Sequence, residues 1–489
     1  MKHFSVQHSL AELGQPFSTA CLPTPVAAPQ WLAFNVELAT QLRLPEQYWR
    51  SDEGLAVFSG NVVADWANPV AHAYAGHQFG HFVPQLGDGR ALLFAEVIAI
   101  DEQRYDIQLK GAGRTPYSRG GDGRAPLGPV LREYLVSEAM YALGVPTTRA
   151  LAAVLTGDWL QRDTAEPGAI ITRIAKSHIR IGSFQFIAAK GDIAQLKTFA
   201  DYVIKRHYPE CAAAENPYLA FLTGVISAQA QLIAKWMSLG FIHGVMNTDN
   251  MSIAGETIDY GPCAFMDAFN PAQVFSFIDR QGRYAWGNQP KMASWNLTRF
   301  AETLLPLLSA EPEQAIELAT AALLQFNAEN EAAFLQLMGE KIGLKSATKD
   351  DEVLIRDLLN LMSANSTDFS QTFRLLSLSV ANTTQGAAQL FADSSNWHQW
   401  ANRCQTRLAT QGLALNEVQQ QMDATNPALI PRNHQIAKAI ELANTEGDLS
   451  LFNRLHKALQ TPFTLSGENA DLAQPPMPEQ CISNTFCGT

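Results

Sequence analysis

Between His243 and Gly261 the chain reads HGVMNTDNMSIAGETIDYG, and four of these residues have types and spacing that could do chemistry together. Asn250 and Asp259 offer an amide oxygen and a carboxylate. Such hard oxygens suit Mg2+, which takes few protein ligands and completes its shell with phosphates and waters. Asp249 adds a second carboxylate beside them. It could accept a proton from a hydroxyl or hold Asn250 in place from outside the metal shell. His243 reads as a brace for the loop backbone.

The catalytic loop of protein kinases has the form His-x-Asp-x-x-x-x-Asn, followed by Asp-x-Gly. His243 and Asn250 stand at that spacing, and Asp259-Tyr260-Gly261 supplies the second element. The place of the usual catalytic aspartate holds Val245. The metal-binding half of a phosphotransfer site is therefore present without its usual base, and Asp249 is a displaced candidate. The bland alternative is an Asx turn at Asn250 and a strand-end Asp259; the motif as a whole favours the metal.

Other residues would have to converge on that loop. Lys110 ends the apolar run RYDIQLK, where a strand-borne lysine can reach phosphates and pair with a glutamate of the next helix. Both Glu133 and Glu138 lie on that helix, and spacing alone leaves the choice open. Gly87-Asp88-Gly89-Arg90 and Gly121-Asp122-Gly123-Arg124 repeat one tetrapeptide. Glycine lets backbone N–H groups approach phosphate, and arginine adds charge-assisted bonds. Each copy alone would be an ordinary turn. The window 169–190 carries Arg173, Lys176, Arg180 and Lys190 with no acidic residue, a pattern that suits polyphosphate. GHQFGH (76–81) spaces His77 and His81 as a zincin would, but Gln78 replaces the glutamate and no third ligand follows, so no zinc site is expected.

These residues need a frame. Runs 91–99 and 104–110 read as strands, 127–145 as a helix, and 150–157 and 169–175 as two further strands. That order suits the small lobe of a kinase. From about residue 190 the pattern turns helical, and 300–460 carries repeated amphipathic windows. The expected class is α+β, a protein-kinase-like two-lobe fold with a large helical C-terminal extension. Its expected divisions are an N-terminal wrapping segment (1–70), a small lobe with nucleotide-binding loops (71–190), a large lobe with catalytic and metal loops (191–300), a helical extension (301–463) and a flexible tail (464–489).

The bulk numbers narrow the function classes. The 489 residues carry 35 Lys+Arg against 47 Asp+Glu, a net charge of −12, which disfavours nonspecific nucleic-acid or anionic-membrane binding. MKHFSVQHSLAELG has no apolar core and no arginine run, so no targeting segment is expected, and no membrane span is read. Six cysteines at 21, 211, 263, 404, 481 and 487 are too scattered for a disulfide framework, which points to a reducing compartment, the cytoplasm by default. Cys263 reads as a small buried hydrophobe, whereas Cys481 and Cys487 in the tail are thiols open to oxidation.

Taken together, YAGHQFGHFVPQLGDGRA, DIQLKGAGRTPYSRGGDGRA, LREYLVSEAMYALGVPTTRAL, ITRIAKSHIRIGSFQF and GFIHGVMNTDNMSIAGETIDYGP resemble the selenoprotein O family, also called YdiU proteins. The match covers most of residues 70–265, and the strings are long and unusual. The resemblance implies a kinase-like fold that transfers AMP from ATP to Ser, Thr or Tyr hydroxyls of proteins and releases pyrophosphate. It implies ATP bound in the reverse sense to that of kinases, Mg2+ or Mn2+ as metal, and UMP transfer from UTP with Mn2+.

Carried over by motif, Lys110 contacts phosphate and pairs with Glu133, and Arg173 and Arg180 hold the buried phosphate end. Gly87, Gly89, Arg90, Asp122 and Gly123 match nucleotide-binding positions, Asn250 and Asp259 the metal ligands, and Asp249 the proton acceptor. The ending Cys487-Gly488-Thr489 is similar to the family's C-terminal cysteine or selenocysteine. One departure stands out: some bacterial members have a cysteine soon after the metal aspartate, but PAQVFSFID (271–279) has none, leaving Cys263 as the nearby substitute for a tail-to-core disulfide. The expected partners are ATP and hydroxyl-bearing proteins, with the enzyme a monomer. Two rivals are γ-phosphoryl transfer, which Val245 disfavours, and an inactive nucleotide-binding scaffold, which the intact Lys110, Asn250 and Asp259 disfavour.

Overall fold

Apolar, β-branched segments build one antiparallel sheet in the computed structural model, which describes residues 4–380, 386–392 and 394–485. The sheet runs Ser18–Ala20, Val70–His72, Ala91–Ile98, Arg104–Lys110, Ala165–Ala175, Arg149–Gln161 and Gln30–Phe34 from edge to edge. The N-terminal segment thus supplies both edge strands. At the centre Arg104–Lys110 lies between Ala91–Ile98 and Ala165–Ala175, with Lys110 opposite both Ala91 and Ile171 and Arg173 opposite Gln108. Side chains alternate across a strand, so Gln108, Lys110 and Arg173 share one face.

The expected order of strand, strand, helix, strand, strand is present between residues 91 and 175, with different bounds. The run read as 150–157 continues as Arg149–Gln161 because a register irregularity between Leu155 and Trp159 lets the ribbon extend. Gly157 sits inside it at φ 78°, where its close approach to Ala28 leaves no room for a side chain. The helix read as 127–145 ends at Ala142, two residues before Gly144 at φ 73°.

The Leu127–Ala142 helix is buried almost all round, although only the stripe 131, 135, 139, 143 was legible as apolar. Its second face is covered by the chain's far end: Ile440 lies against Gly128, and Phe452 and His456 pack on Tyr134 at 5.8 and 5.2 Å. One continuous core therefore reaches from the sheet helix into the C-terminal helices. The large helical part centres on Pro217–Ser238, started by Asn216, whose side chain accepts from Leu219 N, with proline in its first turn. This is the one helix among the described residues long and apolar enough to cross a membrane, and half of its apolar window is buried within the protein.

Within 464–485 the chain forms short 3-10 turns at Gly467–Ala473 and Pro478–Gln480 and then docks Thr485. Thr485 N donates to Phe275 O at 2.8 Å and its hydroxyl to Pro262 O at 2.6 Å.

Candidate active site

Three cations and two carboxylates meet where the sheet faces the 243–261 loop. Lys110 Nζ donates to Glu133 Oε2 at 2.8 Å and to Asp259 Oδ1 at 3.3 Å. Arg173 bridges the same two acids through Nε and Nη2. Arg180 Nη1 donates to Asp259 Oδ2 at 3.1 Å and to the backbone oxygen of Asp249 at 2.9 Å. Three positive groups against two negative ones leave the cluster one charge in excess, before Arg90 beside Lys110 is considered. Such a site accepts an anion.

Burial would raise the Asp259 carboxyl, but Arg173, Lys110 and Arg180 hold it well below the usual carboxylate range. Glu133 is held low in the same way, by Arg173 and then Lys110 against its burial. Burial and the neighbouring Arg173 lower Lys110. Asp259 sits at φ 65°, a left-handed backbone that aspartate tolerates better than most residues and that turns its carboxylate toward the arginines.

The helix resolves the choice between the two glutamates. Five residues separate them, a rotation of about 140° round the helix axis. Glu133 points at Lys110, while Glu138 is consumed by Arg149 Nε and Nη2, Asn35 Nδ2 and Ala150 N, all at 2.8 Å.

The 243–261 loop is held by a feature whose role the sequence left unread. GHQFGH forms a hairpin, Gly76–Gln78 paired with His81–Val83, that grips the loop residue by residue. His77 N donates to Thr248 Oγ1 at 2.7 Å, Phe79 N to Asn247 Oδ1 at 3.0 Å, and Gln78 Nε2 to Asp249 Oδ2 at 3.3 Å. Gln185 joins the clamp through Thr248 and His77. Gly76 was the available signal, since a side chain there would run into Asp249 and Leu86. Tyr74, just before the hairpin, lies under the Arg180 guanidinium at 4.5 Å. His243 is fully buried, with Nε2 against Ile258 O at 2.8 Å, which makes it the expected brace.

Asp249 is 7% exposed, and its Oδ1 has no hydrogen-bond partner. Burial pushes its carboxyl up to about 6, against the opposing pull of Arg180 and Gln78. Asn250 Nδ2 donates to Val245 O at 3.0 Å, so its oxygen is the atom left for a cation. Among the described residues no three His, Cys, Asp or Glu side chains form a metal cluster. The donors here are the sparse, hard oxygens that fit Mg2+ or Mn2+ only when phosphate oxygens complete the shell.

The two GDGR copies have different fates. Asp88 of the first accepts from Gln108 Nε2 at 3.1 Å, and Gln108 Oε1 accepts from Arg173 at 3.5 Å, so that loop is wired to the cluster. Gly87 and Gly89 pack on Tyr117, and Gly87 sits at φ 78°. In the second copy Asp122 pairs with Arg162 at 2.9 Å and Arg124 with the carbonyls of Thr24 and Pro25, none of them a member of the five-residue cluster. Gly123 lies so close to Gly113 that no side chain fits. Of the basic window, Arg173 and Arg180 enter the cluster; Lys176 and Lys190 are exposed and do not.

Cys263 is buried and free, and burial pushes its thiol up to about 12, so it behaves as a small hydrophobe. Cys481 is exposed and free. Cys487 lies outside the described residues.

Comparison with known proteins decides the family. The family model described as protein adenylyltransferase SelO matches residues 1–460. The chain belongs to the SelO family. It is 52% identical over 488 residues to a protein nucleotidyltransferase YdiU of Bradyrhizobium diazoefficiens, covering 100% of this chain and 99% of the relative. A protein of the same name from Agrobacterium fabrum is 52% identical over 482 residues, 99% of each chain. One from Shouchella clausii is 49% identical over 490 residues, again 99% of each. As a SelO-family member the chain is a protein nucleotidyltransferase, and the cluster described above is its candidate active site.

Proposed function

We propose that the chain transfers AMP from ATP to Ser, Thr or Tyr hydroxyls of proteins, with Asp249 as proton acceptor and Lys110, Arg173 and Arg180 holding the phosphates. The observation that carries this is Arg180, which binds the Asp249 backbone and the Asp259 carboxylate at once and so ties the acceptor side to the phosphate side. The acceptor oxygen attacks the α-phosphorus, its proton passes to Asp249, and the bond from the α-phosphorus to the bridging oxygen breaks. The leaving pyrophosphate stays against the guanidinium groups, whose charge is set in advance where negative charge develops. Arg90, Gly87 and Gly89 line the nucleotide, Asp122 and Gly123 shape the loop facing it, and Glu133 orients Lys110. Asn250 and Asp259 would hold Mg2+ or Mn2+, which when bound neutralises phosphate charge as a Lewis acid.

The architecture proposed with it is a kinase-like pair of lobes, small over 71–190 and large over 191–300. The N-terminal segment 1–70 wraps them, a helical extension spans 301–463 and a tail 464–489. The central sheet with its glutamate helix and the helical character beyond it support this division. Cytoplasmic residence accords with the five described cysteines being free, and the monomer belongs to the same proposal.

Incubating the protein and candidate acceptors with ATP labelled at the α- or the γ-phosphate, with Mg2+ or Mn2+, tests the proposal. Covalent α-label is the expected result. Covalent γ-label would make the protein a kinase, and neither label would make it a nucleotide-binding scaffold.

A further inference from the structure

We infer that Arg283, held on Trp295 beside the hairpin that positions Asp249, recognises an acidic side chain near the acceptor hydroxyl of the protein substrate. This recognition presupposes the adenylyl transfer proposed above. The Arg283 guanidinium lies 4.8 Å from the Trp295 ring centroid and 5.7 Å from that of Tyr284. Arg299 covers the same indole at 5.2 Å, and His77 meets it edge-on at 5.3 Å. Two guanidinium groups and an imidazole thus converge on one ring in a chain whose net charge is −12.

Arg299 has Glu302 at 2.6 Å. Arg283 has no comparable partner: among the described residues no carboxylate forms an ion pair with it, and its Nε is buried without a hydrogen bond. The nearest acid along the chain, Asp279, is occupied by the backbone N–H groups of Arg283 and Tyr284 at 2.9 and 2.7 Å. A guanidinium set between aromatic rings, hydrogen-bonded to Tyr284 and free of any carboxylate partner among the described residues, is organised for a carboxylate.

Its position indicates whose carboxylate. A methyl group on Gly80 would lie 3.7 Å from the Arg283 guanidinium, and Gln78, two residues earlier, donates to Asp249 Oδ2. Two extended residues span at most about 7 Å. An acceptor segment with its hydroxyl at Asp249 therefore carries a side chain some two to four residues away past Arg283. Phe82, 43% exposed and 5.0 Å from the His77 ring, gives the same rim an apolar contact. Lys110, Arg173 and Arg180 are committed to Glu133 and Asp259, whereas Arg283 lies by Gly80 of the hairpin that holds Asp249. Charge complementarity there sets partner choice more than intrinsic rate.

The test is an array of Ser, Thr and Tyr peptides with randomised flanks, incubated with the full chain, α-labelled ATP and Mn2+ or Mg2+, with ATP affinity measured in parallel. Wild-type protein should label peptides bearing Asp or Glu two to four positions from the hydroxyl about 10-fold or more over those bearing Lys or Arg, the ratio expected of one charge-assisted bond. Arg283→Gln should erase that preference and Arg283→Glu reverse it, with ATP affinity unchanged in both. Equal labelling of acidic and basic flanks by the wild type overturns the inference, as does an acidic preference that survives Arg283→Glu. If wild-type protein binds ATP yet labels no peptide, adenylyl transfer itself fails, and the inference falls with it.

Discussion

Gly76 and Asp249 are in such close apposition that a methyl group on Gly76 would stand 2.4 Å from Asp249 Oδ1. The glycine is thus a spatial requirement of the proposed base. Gly76→Ala should push the carboxylate out of line and lower the rate of AMP transfer by about 100-fold, the scale of a 1 Å misplacement. ATP affinity, read by calorimetry, should change little, because Lys110 and Arg173 bond to Glu133 and Asp259, and Arg180 meets Asp249 only through its backbone oxygen. A variant with full transfer activity would remove Asp249 from the role of base.

Asp259 neutralises a crowd of cations as well as offering a metal ligand. Asp259→Asn should abolish transfer and also destabilise the protein, since Lys110, Arg173 and Arg180 would lose a shared partner. Breaking one side of a buried ion pair costs about 3–5 kcal/mol. Denaturant titration in the absence of nucleotide should register a loss of that order. Added ATP should recover part of it if its phosphates take the place of the carboxylate.

Glu133 and Glu138 should separate cleanly. Glu133→Gln leaves Lys110 and Arg173 short of a buried partner and should reduce both transfer and the thermal midpoint. Glu138→Gln removes the charge that holds Arg149 and Asn35 at the sheet edge, and should lower the thermal midpoint while folded protein keeps its ATP affinity. The opposite pattern would mean that the helix presents the other glutamate to the lysine.

Glu256, 6% exposed, accepts from Lys176 N at 2.9 Å. Burial pushes its carboxyl from the ordinary 4.5 up to about 7 despite Lys176. The folded protein therefore holds this proton more tightly than the unfolded chain does. The contribution is fully favourable below about pH 4.5 and is lost as pH rises through 7, a penalty on the order of 3 kcal/mol at 1.36 kcal/mol per unit. Glu256→Gln should gain stability over the wild type as pH climbs from 5 to 8, measured by denaturant midpoints. A constant difference across that range would show that Glu256 is ionised in the fold.

Local chemistry is what the sequence by itself determined. The His243–Gly261 spacing, the missing aspartate at Val245, the strand ending in Lys110 and the arginines at 173 and 180 were all legible, because each depends on residue type and short-range periodicity. The same short range explains what was not legible. Nothing local told Glu133 from Glu138, since both are acids on one helix and only the packed sheet shows which way each points. The two GDGR copies are identical as strings, yet one is wired through Gln108 to Arg173 and the other is spent on Arg162.

GHQFGH illustrates the limit most directly. Its departure from the zincin pattern at Gln78 was readable, but its clamp on Asn247, Thr248 and Asp249 joins residues about 170 positions apart. Likewise the second buried face of the Leu127–Ala142 helix exists only because helices near residues 440 and 452 fold back onto it. Composition and spacing record which groups a chain owns. Which of them share a pocket is set by long-range packing, where burial and mutual charge select one arrangement of otherwise equivalent side chains.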